Sequence, residues 1–95
     1  MDNFITVYVI LRTLERAMDG NLDLEKLSAE SLGVSEARRR NLLIAMQDEG
    51  LIKGVWHGNS AGGINIRIDN IEITFRGLEY LTTSELMKKV RDGQS

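Results

Sequence analysis

Between residues 3 and 18 the apolar positions recur at spacings of three and four: Phe4, Val7, Tyr8, Leu11, Leu14 and Met18. That is the one-face pattern of an amphipathic helix. Asp2 or Asn3 can cap its first free amides, and Gly20 suits a left-handed residue just past its end. Leu22 and Leu24 then alternate with Asn21, Asp23 and Glu25, which predicts a strand of two or three residues. A short helix is expected over Glu25 to Leu32, carrying Leu27 and Leu32 inward. Gly33 supplies a tight turn, and Ser35 stands as N-cap of a further helix running through Glu49. Leu42, Leu43 and Met46 form the inward face of that helix, and Gly50 ends it.

From Leu51 the period changes. Leu51 to His57 is β-prone, and Gly58-Asn59-Ser60-Ala61-Gly62-Gly63 is a run of turn formers. Ile64, Ile66 and Ile68 alternate strictly with Asn65, Arg67 and Asp69, as in a half-buried strand. Two strands joined by a six-residue loop make a hairpin, and three glycines in that loop predict a mobile tip. Thr74 can cap a helix over Phe75 to Leu81, with Phe75, Leu78 and Leu81 facing in. Thr82-Thr83-Ser84-Glu85 has capping-box spacing and opens a last short helix with Leu86, Met87 and Val90 on its apolar side. Asp92 to Ser95 are expected to fray. The pattern predicts an α+β fold, mainly α: a winged helix-turn-helix with a three-helix core, a β-hairpin wing and C-terminal helices. One domain would occupy residues 1–92, with 93–95 as a tail.

Local motifs agree with that order. Ser31-Leu32-Gly33-Val34-Ser35, then Leu42-Leu43, Met46 and Glu49-Gly50-Leu51-Ile52, resemble the helix-turn-helix of bacterial winged-helix regulators. Ile73-Thr74-Phe75-Arg76-Gly77-Leu78-Glu79-Tyr80-Leu81 looks like their return helix. Over residues 3 to 90 the chain is similar to the YjcQ-like family, small winged-helix proteins of bacteria and their prophages. The resemblance implies an architecture of the DNA-binding type and a bacterial or phage origin. It brings no catalytic or ligand-binding residues with it.

Composition narrows the partners. Ninety-five residues, 42% apolar and 27% charged, suit one globular domain. There is no cysteine, so disulfides and thiolate metal sites are excluded and a reducing compartment fits. No apolar run approaches the roughly 20 residues that span a bilayer, and Met1-Asp2-Asn3 lacks the basic flank of a secretory signal. A cytoplasmic protein without a membrane partner is expected. The formal charge of −2 does not announce nucleic acid, so any such partner must be met by local charge.

Arg38-Arg39-Arg40 supplies that local charge, in the first two turns of the candidate recognition helix. At 100° per residue three consecutive arginines cannot share a face. Arg39 stands three and four residues before Leu42 and Leu43, so its stem lies on the core edge and its head snorkels; Arg39→Leu should therefore preserve stability. Arg40 should face out with Ala37, Asn41 and Ile44, and Arg38 to one side. Arg38, Arg40 and Asn41, with Ser35 and Arg67, form the candidate contact set for double-stranded DNA. The alternative is a solvated basic turn offsetting Glu30, Glu36, Asp48 and Glu49. The wing loop has no Lys or Arg and its strands add only Lys53 and Arg67, so a monomer should bind weakly and lose affinity quickly with salt.

A different role is open as well. Ile44, on the outward stripe, and Trp56, near the hairpin, mark a possible patch for a protein partner or a second copy of the chain; one exposed isoleucine is also ordinary. Gly58-Asn59-Ser60-Ala61-Gly62 matches a nucleophile pattern, but it joins two strands rather than a strand and a helix. His57 is the only histidine and cannot make a metal site alone. No catalytic constellation, metal site or cofactor is predicted, and the chain reads as a binding protein rather than an enzyme.

Overall fold

The computed structural model describes residues 3–94 and places helix α1 at Asn3–Arg16, α2 at Ala29–Leu32 and α3 at Glu36–Asp48. Strands β1 (Ile52–Lys53), β2 (Trp56–Ser60), β3 (Gly63–Arg67) and β4 (Glu72–Ile73) follow, then α4 (Phe75–Thr83) and α5 (Glu85–Gln94). The fold is α+β, mainly helical, in a winged-helix layout.

Helix α1 runs through the middle of the molecule, touching α3 as well as α4 and α5. Packing on several sides explains why its buried face is broader than a single stripe: Thr6, Val7, Ile10, Leu11 and Leu14 are all buried. Ile10 is fully buried although the spacing rule passed it over, while Phe4 and Met18, expected inside, lie exposed near the two helix ends. Leu27, Leu32, Leu43, Met46, Ile52, Ile73, Leu81 and Met87 complete one continuous core with them.

The expected strand at Leu22–Leu24 does not form. Asp23 instead accepts from the Glu25 amide and turns the chain into a single 3₁₀ turn at Leu24–Leu27. Gly20 is extended rather than left-handed, because α1 tightens through another 3₁₀ turn at Ala17–Asp19 first. Asp2, the alternative cap of α1, lies outside the described residues, as does Ser95.

The partner of β1 comes from the far side of the wing. Ile52 pairs with Ile73 and Lys53 with Glu72, antiparallel. The outer hairpin pairs Trp56 with Arg67 and continues to Ser60 with Gly63. The connecting loop is therefore Ala61-Gly62, two residues and not the six expected, because glycine-rich sequence here pairs as strand. Gly54 separates the two ladders. Its φ is +86°, and a Cβ there would stand 2.0 Å from the Asn70 carbonyl oxygen, so the two segments pass at a point that accepts no side chain.

Thr74 fastens this unit to the helices. Its hydroxyl donates to the Gly50 carbonyl at 2.6 Å and accepts from the Gly77 amide at 3.0 Å, joining the end of α3 to the start of α4. Phe75 is 90% exposed, against expectation. Residues at i, i+3 and i+6 drift about 60° per step around a helix, so Phe75, Leu78 and Leu81 cannot share one direction. The inward face is set by Gly77 and Leu81, both buried. In α5, Met87 is buried and Leu86 is not. Thr82 lies inside α4, bonding back to Leu78, and the cap of α5 is Ser84 rather than a box begun at Thr82.

Candidate nucleic-acid interface

Helix α3 is held at its start by Ser35, whose hydroxyl accepts from the Arg38 amide at 3.0 Å. Leu43 and Met46 anchor it in the core and Leu42 is half-buried, as the spacing predicted. The opposite face exposes Ala37, Asn41, Ala45 and Asp48. Small side chains along that face leave the helix backbone open to close approach.

The three arginines part company. Arg38 is exposed, and its Nη1 donates to Asn3 Oδ1 of α1 at 2.7 Å. Arg39 has a side chain only 13% exposed, and it folds inward as its position required. Its head is held at both ends of its reach: Nε donates to the Leu27 carbonyl at 2.6 Å and Nη1 pairs with the exposed Glu36 at 2.7 Å. Arg40 departs from the outward placement expected of it. It is half-buried, and its Nε is shielded from solvent without a hydrogen-bond partner among the described residues.

Arg40 occupies the flank of α3 shared, at i+4 and i+7, with Ile44 and Gln47. That flank faces the wing, because the Gln47 side-chain amide makes two bonds to the backbone of one residue at its root. Its Nε2 donates to the Val55 carbonyl and its Oε1 accepts from the Val55 amide, each at 2.7 Å. This satisfies both backbone polar groups of Val55, which lies between β1 and β2. Ile44 is half-buried on the same flank, so it is not the outward apolar residue expected. Sequence reasoning missed Gln47, and a polar residue next to Met46 on a half-buried flank was the only signal for it.

On the wing, Arg67 sits directly across from Trp56 with its guanidinium carbon 5.7 Å from the indole centroid, within cation–π range. Trp56 is 57% exposed. Asn65 donates to Ser60 Oγ at 2.6 Å near the tip. Lys53, the other wing cation, is paired across the ladder with Glu72 at 3.7 Å. Arg38, Asn41 and Ser35 thus lie around the first turns of α3, where Asn3, Ala37 and Leu42 complete a shallow depression. Arg40 stands on the wing-side flank and Arg67 on the wing itself.

At its C-terminal end α3 carries charge against the helix dipole. Glu36 lies in its first turn, where the dipole favours an acid, but Asp48 and Glu49 stand at its end with no basic residue in the last turn. Each misplaced charge costs up to roughly 1 kcal/mol at an exposed terminus. Stability alone therefore does not account for this arrangement.

One protein-family model, described as YjcQ protein, matches residues 8–94. No curated protein and no solved structure matches the chain.

Proposed function

The chain belongs to the YjcQ family, and from that premise we propose that it is a small DNA-binding regulator or accessory factor of bacterial or prophage origin, working in the cytoplasm by binding rather than catalysis. The observation that carries this reading is the first two turns of α3. They place Arg38, Arg40 and Asn41 on a helix capped by Ser35 and locked to the wing by Gln47. Helix and wing then meet a duplex as one surface, with α3 toward the major groove and the arginines toward phosphates.

The test is duplex binding by fluorescence anisotropy at two salt concentrations. The parent should bind at low salt, and Arg38→Ala and Arg40→Ala should each weaken binding and lower the salt slope by about one unit. A parent that binds no duplex at low salt overturns the proposal. A second reading, a winged helix that docks a protein partner or a second copy of itself without DNA, draws on the acidic end of α3 and the uncharged wing tip. With Ile44 half-buried, Trp56 remains the exposed member of the patch for that role.

A further inference from the structure

The two faces of the wing differ in kind. One carries Ile68, Ile66 and Ile64, progressively less buried from root to tip, and is the extension of the core. The other carries the cross-strand pairs Trp56 with Arg67, Gly58 with Asn65, and Ser60 with Gly63. On that second face the six-membered ring of Trp56 lies over Gly58. A Cβ at position 58 would stand 2.9 Å from Cη2 and 3.0 Å from Cζ2, so only glycine leaves the ring this position. The ring is held from below by a bare backbone and from across the ladder by the Arg67 guanidinium.

A tryptophan laid down in this way is neither a core residue nor a free surface one. It offers a rigid apolar plane beside a cation, and residues 56–67 contain no carboxylate. Arg67 is not engaged by any acid among the described residues, unlike Arg39 or Lys53. The backbone that carries the ring is tied to the arginine-bearing helix, since Gln47 of α3 grips Val55, the residue immediately before Trp56.

We propose that Trp56, Gly58 and Arg67 form a second contact for the sugar–phosphate strand of a DNA duplex, the indole packing on a deoxyribose face and Arg67 meeting the adjacent phosphate. This rests on the DNA-binding reading of α3. It explains how a wing with an uncharged tip contributes: through one apolar plane and one cation at its root. The occupant follows from charge and shape together. A single cation without an acid partner suits one phosphate, and an indole 57% exposed leaves apolar area for the C–H face of a sugar.

Trp56 is the only tryptophan, so its emission reports on this contact alone. An end-labelled duplex is titrated into the parent and into Trp56→Ala, Gly58→Ala and Arg67→Gln at two salt concentrations, with thermal melts to establish that each variant is folded. In the parent, emission should change in step with anisotropy. Trp56→Ala should weaken binding roughly fivefold or more without changing the salt slope, because the lost contact is not ionic. Gly58→Ala should weaken binding in the same sense by displacing the ring. Arg67→Gln should lower the slope by about one unit. Duplex binding that requires Arg38 but leaves both the emission and the Trp56→Ala affinity unchanged overturns this proposal and leaves the helix reading intact. Tighter binding of single-stranded DNA, with the same emission change, replaces the sugar contact by base stacking and also overturns it. No duplex binding by the parent overturns both.

Discussion

One added methyl group at position 77 would put a Cβ 2.1 Å from the Leu51 carbonyl oxygen and 2.7 Å from Ile73 Cγ1. Neither neighbour can retreat, since the first is backbone and the second lies in the core. Gly77→Ala should therefore lower stability by about 1–3 kcal/mol, the usual cost of overpacking, despite the better helix propensity of alanine; urea denaturation measures it. Gln47→Ala leaves both polar groups of Val55 without their partner and should cost a similar amount. Faster hydrogen exchange at the Val55 amide would identify the site of the loss. The neighbouring arginines should respond in opposite ways. Arg39→Leu removes the donor to the Leu27 carbonyl and should cost about 1–2 kcal/mol, contrary to what a merely snorkelling side chain implies. Arg40→Met keeps the stem and deletes an unpaired, shielded N–H, so stability should hold or rise while duplex affinity falls.

At the scale of elements, the outer hairpin β2–β3 stands away from the core, and Ile66 is its only half-buried large side chain. Two-stranded ladders are marginal by themselves, so amides from Asn59 to Arg67 should exchange well before those of α1 and α3. Protection equal to that of α1 would show that the wing is pinned by something further. Helices α1, α3 and α4 could be read in the sequence because each has a recurrent apolar spacing, and Ser35, Gly50 and Thr74 mark the two ends of α3 and the start of α4. The partner of β1 could not, because a two-residue strand has no period and its pairing spans about twenty residues. The same limit applies at the site. Ser35, Arg38 and Asn41 follow from local position on a capped helix, whereas the Arg39 bond to Leu27, the burial of Arg40 and the Gln47 clamp depend on which segment lies alongside. Phe75 failed for a different reason: its threefold spacing with Leu78 and Leu81 resembles a stripe but drifts around the helix.

Over the whole molecule, the acidic balance and the arginine-bearing surface set opposing demands. Three cations, Arg38, Arg40 and Arg67, stand on that surface, so the slope of log affinity against log salt should be about −3 or shallower for one protomer. A much steeper slope would require a second protomer or another basic surface. The longest dimension is 42 Å, which confines one protomer to roughly 12 base pairs at about 3.4 Å each. Footprinting should show protection no longer than that unless copies bind side by side. The junction at Thr74 has one more consequence. Because β1 pairs with β4 and Thr74 bonds to Gly50, the chain leaves and re-enters the helical body at nearly the same place, and Trp56 opposite Arg67 repeats that closure one step further out. Everything beyond that second rung is an appendage with both feet together. Lengthening it costs only about 0.6 kcal/mol for each doubling of loop length. The wing is therefore a graft site: hairpins of other lengths and charges can be exchanged between Trp56 and Arg67, changing what the protein touches while the body that carries it folds as before.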